Sequence, residues 1–269
     1  MILTDRTCFD GVCQVKYIII IIILMFNRIL QRKLLFLPSL VNSMRNIINI
    51  AHRGYTRRFP DNTLESFRAA LELGVDGVEF DVQETLDGSF FIFHDDAIGG
   101  KAIAQSITKE ILAARVGGNY HIPTLQETLE LIGHGPILVV ELKQVCSLDR
   151  FLEILRSHAD VNRVAIVSFS SELISKLAEL APDIKRAVIT NTGVKNAEEI
   201  TRSTHSMAIG ITCTDLDSTV INRLHEEGTL IFVWDCNDAE DLKKALEFNI
   251  DGIISDMPDL VKQFLRNAP

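Results

Sequence analysis

From Asn46 onward the chain alternates short apolar runs with longer stretches in which apolar side chains recur every three or four residues. The runs read as buried strands and the longer stretches as amphipathic helices, and their alternation is the pattern of a parallel α/β fold. Strands are predicted over 47–51, 77–82, 137–142, 164–167, 184–189, 208–212, 230–233 and 252–254. Helices are predicted over 63–73, 148–158, 171–180, 197–203, 217–227, 239–247 and 258–265. Eight strands joined by connections of crossover length suit a closed (β/α)8 barrel, built as a single α/β domain, better than an open doubly wound sheet. No G-x-G-x-x-G follows the first strand, which also disfavours a dinucleotide fold.

One piece departs from the alternation. The run 90–94 follows the second strand after only Thr85-Leu86-Asp87-Gly88, too short a link for a parallel crossover. A hairpin is predicted there, returning His94 toward the end where Glu79 and Asp81 lie. The 28-residue link from Asp95 to Ile122 contains Gly99-Gly100, Gly117-Gly118 and one predicted short helix at 108–114. That is room for a short loop over the barrel mouth and too little for a cap domain. Asn62 is the predicted cap of the first helix, with Glu65 closing a capping box, and Pro60 keeps the preceding loop extended.

The first forty-three residues follow another rule. Tyr17 to Phe26 (YIIIIIILMF) is an apolar run of ten. As a helix rising ~1.5 Å per residue it covers about half of a ~30 Å hydrocarbon core. A second run, 34–41, is broken by Pro38. Three readings stand side by side. A signal peptide or short anchor would use Lys16 as its basic flank and Val41-Asn42-Ser43 for cleavage. A peripheral anchor would set Arg28, Arg32 and Lys33 at lipid headgroups. Alternatively Met44 is the true start, since the first strand begins almost at once after it. The expected organisation is thus a terminal segment, 1–43, and a barrel, 44–269. The barrel is cytoplasmic if Met44 is the start and exported or membrane-anchored through 17–41 otherwise, with any membrane contact made through 1–43 alone.

The chain has 269 residues, 47% hydrophobic and 23% charged, which suits one large domain. The net charge of −9 is unevenly spread: residues 1–43 carry +3, leaving −12 on the rest. A body that acidic repels nucleic acid, and no basic stripe or stacking platform offsets it. Five scattered cysteines (Cys8, Cys13, Cys146, Cys213, Cys236) form no C-x-x-C pair and read as reduced thiols.

Charge placement carries the functional reading. Barrel strands are buried on both faces and should be continuously apolar. Two are not: Gly77-Val78-Glu79-Phe80-Asp81-Val82 and Val139-Val140-Glu141-Leu142-Lys143 each end in two charges at i and i+2, on one face of the strand. The first strand ends in His52-Arg53-Gly54. All of these fall at the C-terminal barrel face, where such folds build their sites. Glu79, Asp81 and Glu141 crowded together would repel one another unless a hard divalent cation, Mg²⁺ or Ca²⁺, sat among them. The plainer alternative is that Arg53 and Lys143 pair with them and simply close the barrel end. His52 and His94 arrive at the same face and suit a general acid and base. Arg53 and Lys143 suit phosphate oxygens. His121, His134, His158, His205 and His225 read as structural.

At this point the ordered series His52-Arg53-Gly54, Pro60-Asp61-Asn62-Thr63, Gly77 to Val82, Thr85-Leu86-Asp87-Gly88, Phe93-His94-Asp95, Ile122-Pro123-Thr124-Leu125 and Glu141-Leu142-Lys143 resembles the glycerophosphodiester phosphodiesterase family. The resemblance continues through Ser168-Phe169, Val233-Trp234 with Asn237, and Asp251-Gly252-Ile253-Ile254-Ser255-Asp256, covering about residues 47–260. It implies a TIM barrel that binds Mg²⁺ or Ca²⁺ through Glu79, Asp81 and Glu141. It implies hydrolysis of glycerophosphodiesters to sn-glycerol 3-phosphate and an alcohol, in phospholipid and glycerol metabolism. His52 and His94 would be the acid/base pair, with Arg53 and Lys143 on phosphate and Trp234 against the glycerol carbons. The substrate's own glycerol hydroxyl would attack phosphorus, and water would open the cyclic product. Two positions depart from the family pattern: Asp61 replaces a usual Glu, and Asp235-Cys236 replaces a usual Thr-Val. Rival readings are a lysophospholipase D or other phospholipid phosphodiesterase on the same barrel and, from another class, a barrel that binds phosphodiesters without cleaving them.

Overall fold

The computed structural model describes residues 47–267 except 192 and 195, so the expectations for 1–43 lie outside the described residues. Ile47–Asn267 forms a compact unit. In chain order its strands are β1 (Ile48–Ala51), β2 (Gly77–Glu84), β3 (Phe90–Ile92), β4 (Ala97–Ile98), β5 (Lys101–Ala102), β6 (Ile137–Gln144), β7 (Val164–Ser168), β8 (Lys185–Thr190), β9 (Ala208–Thr212), β10 (Leu230–Trp234) and β11 (Gly252–Ser255). Its helices are α1 (Leu64–Leu73), α2 (Thr108–Ala113), α3 (Leu125–Ile132), α4 (Leu148–His158), α5 (Ser171–Leu180), α6 (Ala197–Ser203), α7 (Ser218–Glu226), α8 (Ala239–Leu246) and α9 (Pro258–Asn267).

Strands β1, β2, β6, β7, β8, β9, β10 and β11 pair in parallel in that order. The ring is closed by Ile50 opposite Gly77 between β1 and β2, and by Ile48 opposite Gly252 between β1 and β11. This is a (β/α)8 barrel with helices between its strands. The residues pointing away from the axis bury against those helices. Phe80 of β2 meets Phe67 of α1 edge to face, with ring centroids 6.0 Å apart. On the far side of the ring, Ile209, Ile231 and Ile253 join Ile221 of α7 and Leu242 of α8 in one buried cluster.

The hairpin after the second strand is present. β3 runs antiparallel to β2, with Val82 opposite Ile92 and Glu84 opposite Phe90. The segment after it folds along the hairpin, Leu86 N–H donating to Ser106 O at 2.8 Å, and Tyr120 packs on Phe59 at 6.3 Å. Two expectations need correction. Helix α3 was not anticipated, although Leu125, Thr128, Leu129 and Ile132 are buried at helical spacing behind a Thr124–Glu127 capping box. The cap of α1 is Thr63, whose hydroxyl accepts from Ser66 N, and not Asn62 with Glu65. Asn62 has a left-handed φ of 55° and turns its amide inward, to a use described below.

Candidate active site

β2 and β6 lie side by side with Asp81 opposite Glu141 and Glu79 opposite Val139. Since side chains on one face repeat every second residue, Glu79, Asp81 and Glu141 converge at the C-terminal mouth. Each offers an oxygen within 4.8 Å of the others, and all three side chains are buried. Two carboxylate oxygens there, Glu79 Oε1 and Asp81 Oδ1, are buried with no hydrogen-bond partner. Buried acceptors are seldom left so, and three carboxylates in one buried cluster repel. Burial, followed by the charge of Asp81, pushes the Glu79 carboxyl up to about 8, and the same two causes raise Glu141.

The loop after β1 wraps this cluster. Arg53 N–H donates to Glu79 Oε2 at 3.0 Å, and Arg53 Nε lies 3.2 Å from Asp81 Oδ2. Arg53 has a left-handed φ of 53°, and Gly54 follows at 89°. A side chain at Gly54 would place its Cβ 2.3 Å from Ser66 Oγ and 2.7 Å from the Ser66 backbone carbon, so the turn that aims Arg53 requires glycine. Lys143 Nζ sits 3.4 Å from Glu141 Oε1 and 3.9 Å from Asp81 Oδ1. Ion pairing therefore does occur, but it leaves the two buried oxygens above unsatisfied.

Asn62 is the member of the site that sequence reasoning misplaced. Its Nδ2 donates to Asp81 Oδ2 at 2.8 Å, and its Oδ1 accepts from Asp81 N at 3.3 Å. The first bond holds the Asp81 carboxylate and the second its backbone. Asp61 lies outside this arrangement, 48% exposed, with Oδ2 3.7 Å from Arg53 Nη1.

His52 is largely buried and bound on one side. Its Nδ1 is 2.9 Å from Asp256 Oδ1 and 3.4 Å from Asp235 Oδ1, and its Nε2 faces Glu79 Oε2 at 3.9 Å. Asn237 Nδ2 donates to the other Asp256 oxygen at 2.8 Å, so Asp256 is itself held in place. Burial disfavours the imidazolium, but the Asp256 hydrogen bond and the Glu79 charge outweigh it and raise His52 to about 9. His94 comes in on the residue pair after β3, with Nδ1 2.9 Å from Asp95 Oδ1 and its side chain 34% exposed. Both histidines line one cavity together with Arg53, Glu79, Glu141 and Lys143. Trp234 closes the far side of the mouth, edge to face with Phe169 at 5.8 Å, and its Nε1 is a buried donor without a partner. Cys236 is fully buried and its thiol is pushed up by that burial, which makes it no nucleophile.

Among the remaining histidines, His225 Nε2 pairs with Asp251 at 2.8 Å and His158 Nδ1 with Ile154 O at 3.0 Å, both structural contacts.

These shifts set a stability profile. Glu79 holds a proton in the folded chain up to about 8 but releases it near 4.5 when unfolded, and His52 does so up to about 9 against 6.5. Between those limits the folded state binds more protons than the unfolded one, so stability falls as pH rises. Thermal melts in the presence of chelator are expected to show Tm decreasing from about pH 5 to about pH 9. A flat or rising profile would contradict the buried-carboxylate geometry.

A family model described as the glycerophosphoryl diester phosphodiesterase family matches residues 52–260. A glycerophosphodiester phosphodiesterase of Caldanaerobacter subterraneus subsp. tengcongensis is 27% identical, covering 81% of this chain and 98% of its own. Among solved structures, an Oleispira antarctica phosphodiesterase in complex with the product sn-glycerol-3-phosphate superposes with TM-score 0.75 at 25% identity, over 84% of this chain and 98% of that one. A Thermotoga maritima glycerophosphodiester phosphodiesterase does so with TM-score 0.71 at 26% identity, over 82% and 100%.

Proposed function

This chain belongs to the glycerophosphoryl diester phosphodiesterase family, and from that premise we propose that it hydrolyses glycerophosphodiesters to sn-glycerol 3-phosphate and an alcohol with the help of a divalent cation. The observation that carries the proposal is the buried trio Glu79, Asp81 and Glu141 with its two unpartnered oxygens, flanked by His52 and His94. An all-oxygen, anionic donor set is the chemistry that suits Mg²⁺ or Ca²⁺. A cation held there supplies positive charge to the phosphate oxygens as negative charge builds on them.

The side chains then divide the remaining work. Arg53 and Lys143 bind the non-bridging phosphate oxygens, and Trp234 packs on the glycerol carbons with its free Nε1 available to an oxygen. The glycerol 2-hydroxyl attacks phosphorus, forming one O–P bond as the bond to the alcohol breaks. With its Nδ1–H given to Asp95, His94 presents a basic Nε2 that takes the hydroxyl proton. His52, held cationic by Asp256, gives its proton to the departing alkoxide. In the second half water attacks the cyclic phosphate, the ring O–P bond breaks, and the two histidines return to their first states.

The direct test is product identity. Purified full-length protein with glycerophosphocholine and Mg²⁺ or Ca²⁺ is expected to release sn-glycerol 3-phosphate and choline in equal amounts, read by enzyme-coupled assay. Release of phosphocholine and glycerol would place the cleaved bond elsewhere, and binding without release would favour a non-catalytic barrel.

A further inference from the structure

The barrel axis carries a cavity of about 540 Å³ that reaches from the carboxylate mouth to the opposite end, where the strands begin. Barrels of this kind are ordinarily filled along the axis by layers of bulky branched side chains. Here β7, β8 and β9 contribute Ala165, Ala187, Ala208 and Gly210 to the lining. The axis-facing Ile189, Ala208, Phe232 and Ile254 are only half-buried, whereas their helix-facing neighbours Val188, Ile209, Val233 and Ile253 are at most 2% exposed. The two ends differ in character. At the mouth the Phe169 and Trp234 rings meet edge to face beside the charged site. At the far end Met207 and Leu230 are 46% and 43% exposed, an apolar rim open to solvent.

Three cations stand at that rim. Period two puts Lys185 on the axis side of β8 with Ala187 and Ile189, and Arg163 ends the turn before β7. Arg186 is buried, and its Nε has no hydrogen-bond partner. All three belong to the cavity lining. Their described polar contacts are backbone carbonyls: Lys185 Nζ donates to Asn162 O, Arg163 Nε to Pro136 O at 3.2 Å, and Arg186 Nη1 to Ile184 O at 3.3 Å. The carboxylates nearest in sequence are engaged elsewhere, Asp183 with Arg156 at 2.7 Å and Asp160 with Asn162 N and Nδ2. Among the described residues none of the three cations forms an ion pair.

We propose that this end of the barrel binds a medium-chain carboxylate, its tail in the axial cavity and its anionic head at Lys185 and Arg163. The site lies opposite the Glu79, Asp81 and Glu141 cluster and does not depend on the phosphodiesterase reading. Space walled by aliphatic groups holds water poorly and forfeits dispersion contacts that methylenes restore. Its volume lies within the range of a site for one small ligand. From Lys185 to Ile189 the strand rises about 13 Å, which sets a tail of medium length. Charge decides the head group and the direction of entry. At the far end a carboxylate meets an ammonium and a guanidinium that still have donors to give. At the mouth it would meet three buried carboxylates. A cationic amphiphile is repelled from the far end by the same groups, and an uncharged one gains nothing from them.

Calorimetry of the full-length protein with monomeric sodium decanoate tests this. Saturable binding of one decanoate per chain is expected, at least about tenfold tighter than hexanoate, since burying two or three of the added methylenes suffices for that. Decanoate is also expected to bind at least about tenfold tighter than decyltrimethylammonium, which keeps the chain and reverses the charge. Lys185→Glu and, separately, Ala208→Leu are each expected to weaken decanoate at least about tenfold, the first by repelling the head and the second by filling the cavity. Lys143→Ala, at the other end of the axis, is expected to leave decanoate affinity within about twofold. Absence of saturable binding overturns the proposal, as does equal affinity for decyltrimethylammonium or a Lys185→Glu protein that binds like wild type. Loss of binding in Lys143→Ala would put the head at the mouth and overturn it too. The chain-length and head-group comparisons use wild-type protein, so they decide the question even where a variant does not fold. Turnover is not read, and the phosphodiesterase reading stands or falls separately.

Discussion

Replacing Glu79 with glutamine is expected to lower kcat/KM for glycerophosphocholine by at least about a thousandfold while the protein still folds. Glutamine keeps the shape and the acceptor oxygen that Arg53 N–H needs at 3.0 Å, so the turn after β1 survives. What disappears is one of three buried negative charges, and with it much of the attraction for a divalent cation. The same substitution relieves repulsion, because Glu79 is raised to about 8 by burial and by Asp81. The Tm of Glu79→Gln, measured in chelator near pH 8.5, is therefore expected to be no lower than wild type. Calorimetry with Mg²⁺ or Ca²⁺ checks the other half: binding should be weakened beyond detection. Activity within tenfold of wild type would remove Glu79 from the site.

His94→Ala is expected to cost about a hundredfold to ten-thousandfold in kcat, the range for a general base or acid. Its side chain is 34% exposed and its one described polar partner is the adjacent Asp95, so neither the fold nor the carboxylate cluster depends on it. Divalent-ion affinity and Tm should stay at wild-type values. That pattern separates a proton-transfer role from the ligand role proposed for Glu79, whose replacement is expected to lose activity and ion binding together. A His94→Ala enzyme retaining full kcat would reassign the base.

Much of this site was readable in the sequence, for a reason particular to barrels. A carboxylate on a strand buried on both faces is costly, so Glu79, Asp81 and Glu141 stand out against Val and Ile without knowledge of any contact. Period two then puts them on one face, and the order of strands puts them at one end. The hairpin was equally legible, because a link as short as residues 85–89 after β2 permits nothing else. Asn62 was not. It sits at a position typical of a helix cap, and its actual partner, Asp81, is set by a left-handed turn folding back over 19 residues. Asp235 and Asp256 reach the same imidazole from the ends of different strands, β10 and β11, which no local spacing predicts. Helix α3 carries a full signal, Thr124 with Glu127 ahead of an i, i+3, i+4, i+7 stripe, but its eight residues merge in pattern with the long loop preceding it. Alternation also identifies which residues face the barrel axis but not how well they fill it. The underfilled interior emerges only when Ala187, Ala208 and Gly210, on the neighbouring strands β8 and β9, turn inward together within a closed ring.

The claim beneath all of this is that three carboxylates from two neighbouring strands share one divalent ion without which the phosphodiester is not cleaved. Its most direct measurement is hydrolysis of glycerophosphocholine by the wild-type chain after exhaustive chelation, followed by titration with Mg²⁺ or Ca²⁺. The rate should fall to background when the ions are stripped, and return along a curve that saturates at a single site and rises in affinity with pH as the Glu79 proton is displaced. Hydrolysis that continues at its full rate in the stripped protein would contradict the account.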